Sequence, residues 1–146
     1  GPGKGEGKFS TPHGIWMDRR DGRETNVAVC DRANHTIQFL NLDGQHLETI
    51  RGYGLPANLD TWKNLMLVPE LHARVTLLNE NNEVVARLGD DVESVVKRKK
   101  VSRNKPATWN DGKFVHPHDA CFGPNGDIYI AEWVATGRVT RLKRLS

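Results

Sequence analysis

Residues 9–50 read FSTPHGIWMDRRDGRETNVAVCDRANHTIQFLNLDGQHLETI, and their pattern decides the fold. Apolar and β-branched residues alternate with polar ones in short runs, which is typical of half-buried strands. The turn pairs Asp21-Gly22 and Asp43-Gly44 separate these runs at the spacing of antiparallel hairpins. The segment therefore predicts one antiparallel sheet. Its expected strands are an apolar run after Pro12 and the runs 26–30, 36–40 and 45–50.

The same order of strands and turns recurs twice. A second, degenerate unit opens with Leu55-Pro56-Ala57, and a third opens at Phe114 with the Phe-x-x-Pro-His pattern that also begins at Phe9. Four strands in about 42 residues make one blade of a β-propeller. We therefore expect an all-β fold, a single propeller unit over 1–146 with about three four-stranded blades. Its predicted parts are a blade at 8–53, a blade at 54–94, a basic insertion at 95–113 and an incomplete blade at 114–146. The strands expected in the later units are 64–68, 74–78, 83–88, 127–131 and 138–142.

Three blades cannot close a ring, because propellers close with about four to eight blades. Three blades correspond to half of a six-bladed ring, and an isolated three-bladed unit would expose large apolar faces to water. Two interpretations are open. The chain is a piece of a longer propeller, or two copies associate into a homo-oligomer that completes the ring.

The composition is that of an ordinary globular chain. The 146 residues include 21 basic and 18 acidic side chains, for a formal net charge of +3, and 37% are hydrophobic. These values exclude intrinsic disorder and a collagen-like chain. No run reaches the ~18 apolar residues of a membrane helix, so we expect no membrane association, and no signal-peptide pattern is present. Helix is expected only as one or two turns near 90–99.

The positive charge is concentrated in one segment. Between Val95 and Lys105 there are six basic residues and no acidic one, so the rest of the chain carries 15 basic against 18 acidic side chains. Such a segment can bind phosphate groups, although without interleaved aromatic residues it is more often a solvated loop. Nucleic-acid binding is therefore an open but secondary interpretation. The residues concerned are Lys97, Arg98, Lys99, Lys100, Arg103 and Lys105.

The two cysteines are Cys30 and Cys121. They have no CxxC spacing and are too few for a disulfide framework, so neither a redox site nor a Cys-rich zinc site is supported. Both lie in apolar runs, and we expect buried free thiols that pack as small hydrophobic groups.

Two stretches of the first unit point to a kind of repeat. PHGI at 12–15, together with VCDRANHTIQF at 29–39, resembles the NHL repeat, whose members form six-bladed β-propellers. Within that group the chain is similar, over about 9–145, to the C-terminal half of the peptidyl-α-hydroxyglycine α-amidating lyases. These zinc-dependent enzymes cleave a hydroxyglycine-extended peptide into a peptide amide and glyoxylate. The resemblance implies a peptide substrate and a secreted or periplasmic location.

The resemblance also implies a metal site and an active-site arginine. His13 in the first Pro-His turn and His118 in Pro117-His118-Asp119 occupy the positions of zinc ligands. Asp119 occupies the position of a ligand of a structural calcium, and Arg32 that of a catalytic arginine. A further zinc histidine, a catalytic tyrosine and a second arginine of those enzymes belong to the half that this sequence does not contain.

The residue chemistry gives each assignment an alternative. A catalytic zinc needs three protein ligands and one open position, and His13 and His118 supply two. Either histidine could instead line the channel without binding metal. Arg32 could bind a substrate carboxylate through its planar guanidinium, or it could be an ordinary turn residue of the Asp-Arg-x-Asn pattern. Asp119 could bind a second ion or orient its neighbour.

The remaining histidines lack a repeated placement, so we expect them at the surface or in turns. Only the histidine at position 116 lies close to the predicted site. These residues are His35, His46, His72 and His116. The large rings of the tryptophans are expected to fill the space between blades. They are Trp16, Trp62, Trp109 and Trp133.

The sequence supports functions of two classes. The first is a metal-dependent lyase of the amidating type, with Arg32 as the catalytic residue, with zinc at His13 and His118, and with calcium at Asp119. The second is a non-catalytic propeller that binds protein or RNA through its top face or through the basic segment. A propeller fragment that only assembles into a ring is a further alternative.

Overall fold

The computed structural model describes residues 1–145, and these form eleven β-strands in three antiparallel sheets, which we call blades 1, 2 and 3. Blade 1 contains β1 (Pro12–Asp18), β2 (Asn26–Asp31), β3 (Thr36–Leu40) and β4 (His46–Arg51). Blade 2 contains β5 (Asp60–Trp62), β6 (Leu65–Glu70), β7 (Arg74–Leu78) and β8 (Val84–Leu88). Blade 3 contains β9 (Pro117–Phe122), β10 (Ile128–Glu132) and β11 (Val139–Leu142).

Within each blade, strands that follow one another in sequence are neighbours in the sheet. This meander is the arrangement of a propeller blade, and the predicted all-β propeller fold class is confirmed. Helix is limited to short turns at Arg32–Asn34, Glu93–Lys97 and Pro106–Thr108, of which the second lies where a turn or two was expected. In the part of the chain that the structure describes, no helix is long and apolar enough to cross a bilayer.

An aromatic residue opens each blade, three positions before the proline that begins or precedes the innermost strand. These residues are Phe9, Tyr53 and Phe114. Tyr53 and Phe114 are buried where one blade meets the next, whereas Phe9, which has no blade before it, is only half-buried. The repeat therefore places a large apolar side chain at each junction between blades.

A buried carboxylate ties the opening loop to each blade. Asp31 ends β2 and accepts hydrogen bonds from the backbone N–H groups of Ser10 and Thr11, at 2.8 and 3.1 Å. Glu70 ends β6 and accepts from the N–H of Gly54. In blade 3, Glu132 accepts from the N–H of Val115 at 2.7 Å. These hydrogen bonds compensate the burial of the three carboxylates and fix where each inner strand begins.

Two apolar cores hold the blades side by side, one between blades 1 and 2 and one between blades 2 and 3. The first contains Ala28, Cys30, Ile37, Phe39, Tyr53, Leu59, Met66, Val68 and Leu78. The second contains Leu67, Val75, Phe114, Ala120, Ile128 and Ile130. Because these cores lie between sheets rather than within one, each blade depends on its neighbour for burial.

The basic insertion is anchored by its own apolar cluster. Val95 and Val101 are buried against Ala73 of blade 2 and against Val115 and Val134 of blade 3. The lysines of the segment are exposed, as expected for a solvated loop. The insertion is therefore an ordered loop that presents its positive charge from a fixed position.

Cys30 is buried and both cysteines are free, as predicted. The prediction of burial was wrong for Cys121, which is exposed because its side chain lies on the face of blade 3 that has no neighbouring blade. Trp16 and Trp62 pack at the two junctions between blades, as expected. Trp133 instead lies mostly exposed after β10, with the Arg103 guanidinium 3.5 Å from the centre of its ring. Trp109 packs within the cluster of the insertion.

Candidate functional site

The structure brings two of the predicted ligands together. His13 and His118 lie on the innermost strands of blades 1 and 3, each directly after a proline, and their ring centroids are 5.2 Å apart. The rings are inclined at 70°. In blade 2, Ala57 occupies the equivalent position and has no long side chain, so the two imidazoles meet in front of it. The repeat therefore brings histidines from alternate blades close together.

A backbone carbonyl orients the first imidazole. The Nδ1 atom of His13 is 2.6 Å from the carbonyl oxygen of Ala57, and a carbonyl can only accept, so Nδ1 carries the proton. The Nε2 atom then has a free lone pair. Metal-binding histidines usually have such a contact, in which the ring nitrogen that does not bind the metal donates its proton to a carbonyl or carboxylate oxygen.

The spacing of the rings fits a shared metal ion. A zinc–nitrogen bond of about 2.1 Å puts each ring centroid about 3.2 Å from the metal, so a tetrahedral pair has centroids about 5.2 Å apart. The observed separation is 5.2 Å. Within residues 1–145, however, no group of three His, Cys, Asp or Glu side chains is close enough to hold a metal. The pair therefore offers two imidazole nitrogens, one fewer than the three protein ligands that a catalytic zinc has.

The second imidazole is neutral at pH 7. Partial burial lowers the pKa of His118, and the nearby His13 and Arg32 lower it further by disfavouring a second positive charge. A neutral imidazole keeps the lone pair that a metal requires.

Asp119 lies beside His118 but faces a different partner. Its Oδ1 atom accepts a hydrogen bond from the Asn58 side chain at 2.7 Å and from the backbone N–H of Ala120 at 2.8 Å. The side chain is exposed at the edge of an open cavity of about 310 Å³. The cavity is lined by His13, Gly14, Ile15, Ala57, Asn58, His118 and Asp119.

Gly14 is required by the close approach of blade 2. A Cβ atom at this position would lie 2.6 Å from Cα of Asn58 and 2.7 Å from the carbonyl oxygen of Ala57. Any side chain would push β1 away from blade 2 and break the contact that orients His13. The glycine is therefore part of the site.

Arg32 lies in the turn Arg32–Asn34 at the end of β2. The neighbouring Asp31 carboxylate binds the side chain of Asn34 and the opening loop, as expected for turn chemistry. The N–H of Arg32 donates to the carbonyl of Thr11 at 2.9 Å. Its guanidinium makes no hydrogen bond or ion pair with residues 1–145 and is half-buried, so it is free to bind an anion.

The other histidines join blades or lie far from the cavity. The Nδ1 atom of His116 lies 2.6 Å from the carbonyl oxygen of Leu71, and that of His35 lies 3.0 Å from the carbonyl oxygen of Tyr53. His72 lies next to His35, with centroids 5.8 Å apart. Sequence reasoning missed the contribution of Ala57 and Asn58, which follow Pro56 as His13 and Gly14 follow Pro12. That shared spacing was the available signal.

No protein-family model matches the sequence, and no curated protein matches it. Solved structures do match. Virginiamycin B lyase from Staphylococcus aureus is similar with a TM-score of 0.58 at 13% identity, over 94% of this chain and 42% of that one. A protein of unknown function from Bacteroides caccae gives 0.59 at 17% identity, over 86% and 44%. Glutaminyl cyclase from Myxococcus xanthus gives 0.50 at 12% identity, over 93% and 59%.

These similarities show the fold alone, because each is far below 25% identity. The class defined by fold and comparison is the β-propeller, of which this chain supplies three blades. It spans less than half of the length of the first two structures. One of these neighbours is named as a lyase.

Proposed function

We propose that the chain belongs to a metal-dependent lyase of the NHL-propeller kind, related to the enzymes that convert peptidyl-hydroxyglycine into a peptide amide and glyoxylate. The observation that carries the proposal is the convergence of His13 and His118 at the spacing of a zinc-bound pair. The Ala57 carbonyl keeps the proton of His13 on Nδ1, so the lone pair on its Nε2 atom is available. The lowered pKa of His118 favours its neutral form, which also has an available lone pair. Two neutral imidazoles suit zinc, as they do other first-row metals, and zinc is the metal that the resemblance implies.

Each residue has a role that follows from its position. A zinc held by the two histidines would supply Lewis acidity beside the cavity. Arg32, whose positive charge contributes to the lowered pKa of His118, would bind the carboxylate at the end of the substrate in a two-pronged contact. This contact would hold the hydroxyglycine at the metal-facing side of the cavity. No tyrosine lines the described cavity, so a tyrosine acting as the general base would have to come from residues beyond this lining.

Asp119 is proposed as a calcium ligand. One carboxylate oxygen is held by Asn58 and by the backbone, which leaves the second oxygen free at an exposed position. Calcium prefers such oxygen ligands and takes several of them from loops and water. In this role Asp119 would fix the inner strand that carries His118.

Zinc binding by purified variants tests the proposal. We expect His13→Ala and His118→Ala each to weaken zinc binding by about 100-fold or more, since each removes a direct ligand. His46→Ala is the matched control, because His46 lies on the outer strand β4 and contacts Thr49. Isothermal titration measures the affinity, and release of glyoxylate from a hydroxyglycine-extended peptide measures activity.

Two results would contradict the proposal at different points. Equal zinc affinity in wild type, His13→Ala and His118→Ala would remove the metal site. Zinc binding at the pair without glyoxylate release, in folded protein, would keep the site but remove the lyase activity.

A second candidate is a non-catalytic propeller that binds an anionic partner. The observation that favours it is the ordered basic insertion. Arg103 stacks on the exposed Trp133, and the exposed Lys99, Lys100 and Lys105 form no ion pair within residues 1–145. Binding that weakens steeply with salt and survives His13→Ala would favour this function over the lyase.

A further inference from the structure

One repeated position lies beside the opening turn of every blade. It follows the buried acid, and its backbone N–H donates to the residue before the proline of that turn. Arg32, Leu71 and Trp133 hold this position, with hydrogen bonds of 2.9, 3.1 and 2.9 Å to the carbonyls of Thr11, Leu55 and His116. Blade 3 therefore has a tryptophan where blade 1 has the arginine that we assign to the substrate carboxylate.

The basic insertion brings a second arginine to this tryptophan. The central carbon of the Arg103 guanidinium lies 3.5 Å from the centre of the Trp133 ring, so the two groups stack. No hydrogen bond or ion pair with residues 1–145 occupies the Arg103 guanidinium, and its N–H groups are available to an anion. Blade 3 therefore also presents a guanidinium at the repeated position, although a different residue supplies it.

Hydrogen bonds fix the backbone on both sides of this arginine. The carbonyl of Arg103 accepts from the N–H of Ala135 at 2.9 Å. The preceding residue, Ser102, donates its N–H to the Thr108 hydroxyl at 3.0 Å and accepts from the ring N–H of Trp109 at 2.8 Å. Because the guanidinium is already held in place, a ligand that binds it costs little further ordering.

The charge of the segment 95–105 favours an anionic ligand. Glu93 pairs with Lys97 and Arg98, at 3.3 and 2.8 Å. No acidic side chain of residues 1–145 pairs with the other basic residues of the segment. These are Lys99, Lys100, Arg103 and Lys105. Four positive charges without a partner raise the local concentration of anions around the stacked arginine.

The stacked arginine lies within reach of a peptide bound at the histidine pair. Two residues separate the Cα atoms of His116 and His118 by at most about 7 Å. Trp133 is hydrogen-bonded to His116, which adds about 5.5 Å, the spacing of such neighbours in a sheet. An extended peptide advances about 3.3 Å per residue, so it covers this distance in three or four residues.

We propose that Arg103 is a substrate-binding residue that selects peptides with an acidic side chain three or four residues before the cleaved end, and that Trp133 positions it. A guanidinium binds a carboxylate through two parallel N–H···O contacts along its edge, and stacking on the ring leaves this edge free. The selection rests on the proposed lyase function for the place of the cleaved end.

The aromatic residues favour a peptide over a nucleic acid as the ligand. Single-stranded nucleic acids bind where successive aromatic rings offer free faces for their bases. The insertion at 95–113 contains one aromatic residue, Trp109, and this ring lies in the apolar cluster. One face of Trp133 is covered by Arg103. A carboxylate needs only the guanidinium.

Isothermal titration with two unreactive peptides tests the selection without turnover. The probes are Glu-Glu-Ala-Ala-Gly and Gln-Gln-Ala-Ala-Gly, which end in glycine instead of hydroxyglycine. We expect the acidic peptide to bind about 5-fold or more tightly than the neutral one, and Arg103→Ala to remove most of this difference. Arg98→Ala is the matched control, because Arg98 lies in the same segment but is paired with Glu93.

Two tryptophan variants test the positioning role. Trp133→Ala should reduce the preference for the acidic peptide, because the guanidinium loses the ring that supports it. Trp133→Phe should keep most of the preference, because a phenyl ring still stacks on a guanidinium. Circular dichroism of each variant checks that the blades remain folded. A loss in Trp133→Phe as large as in Trp133→Ala would overturn the positioning role.

Activity measurements separate this inference from the proposed lyase function. A preference for the acidic peptide that depends on Arg103, without glyoxylate release from any hydroxyglycine-extended peptide, would keep the binding residue and remove the lyase. Glyoxylate release at equal rates from acidic and neutral hydroxyglycine-extended peptides would keep the lyase and overturn the selection.

Three binding results would also overturn the proposal. Equal affinity of the wild type for the two probes would do so, and so would an unchanged preference in folded Arg103→Ala. A single-stranded oligonucleotide that displaces the acidic peptide and requires Arg103 would assign this residue to nucleic-acid binding instead.

Discussion

At the scale of single residues, the site depends on backbone groups that the sequence does not reveal. The Pro-His turns predicted that His13 and His118 would converge, because equivalent positions of a repeat face the same channel. The carbonyl of Ala57, which orients His13, carries no side-chain signal. The Asn58 side chain, which donates to Asp119, was missed for a different reason, because the degenerate second unit does not repeat the Pro-His pattern.

A buried ion pair lies at the opposite end of β1 from His13 and can be tested by substitution. Asp18 and Arg20 are both fully buried, and the Arg20 Nε and Nη2 atoms donate to the two carboxylate oxygens at 2.9 and 2.8 Å. The guanidinium also reaches blade 2, where it donates to Asn79 and Asn82. Removing one partner of such a pair leaves a buried, uncompensated charge.

We predict that Arg20→Met destabilises the protein by about 3–5 kcal/mol at pH 7. Arg19→Met is the control and should change stability by less than about 0.5 kcal/mol, because Arg19 is exposed. Urea unfolding followed by circular dichroism measures both. A loss in Arg20→Met no larger than that of the control would show that the pair does not join blades 1 and 2.

The same pair predicts a pH dependence. Burial alone would raise the pKa of Asp18, but the hydrogen bonds and charge of Arg20 outweigh it and lower the pKa. A lowered pKa stabilises the fold above the ordinary value of 3.8, and this contribution is lost as the pH falls through the lowered pKa. In Arg20→Met the hydrogen bonds and the charge of the Arg20 side chain are lost, while the backbone N–H of residue 20 and the Asn26 side chain still donate to Asp18. The pKa of Asp18 is therefore higher in the variant, and the difference in stability between wild type and variant should shrink below about pH 4. A difference that stays constant from pH 7 to pH 3 would contradict this account.

At the scale of elements, the middle strands were predictable and the innermost strands of blades 2 and 3 were not. The runs that became β2, β3, β7 and β10 are rich in apolar and β-branched residues, because both faces of a middle strand meet other blades or the core. The inner strands β5 and β9 are short or carry polar residues such as Asp60, His118 and Asp119. Residues that line a channel break the apolar alternation, so the strands that build the site have the weakest signal.

The buried acid at the end of the second strand is the element-scale feature that repeats in all three blades. In blade 2, Glu70 binds the N–H of Gly54, the Nε of Arg74 at 3.0 Å and the hydroxyl of Thr76. These contacts join the opening loop, the turn and β7. The sequence indicated a turn role only for Asp31 of the Asp-Arg-x-Asn pattern, whereas the structure shows that an acid at this position of every blade holds the loop before the inner strand.

We predict that Glu70→Gln lowers the free energy of unfolding by about 1–3 kcal/mol, because the amide cannot accept at both ends and its NH₂ group faces donors. Glu83→Gln is the matched control at an exposed position in the next turn. Denaturant unfolding of both variants gives the comparison. Equal stability of Glu70→Gln and wild type would show that the buried acid does not support the blade.

At the scale of the whole molecule, the three repeats in the sequence already indicated that the described blades do not close a ring. Three propeller blades bury two junctions and leave two faces without neighbours. The structure agrees with that expectation, because Ile15 and Val139 are exposed at positions that are buried in the other blades. Neither the occupant of these faces nor a third ligand for a metal at the histidine pair is found among residues 1–145, so the sequence could not predict either.

Native mass spectrometry of the zinc-loaded protein tests the central claim most directly, because it reports the metal that stays bound to the folded chain. We predict that the wild-type chain of 16.4 kDa retains bound zinc and that folded His118→Ala loses it. Folded wild-type protein that retains no zinc would contradict the metal pair.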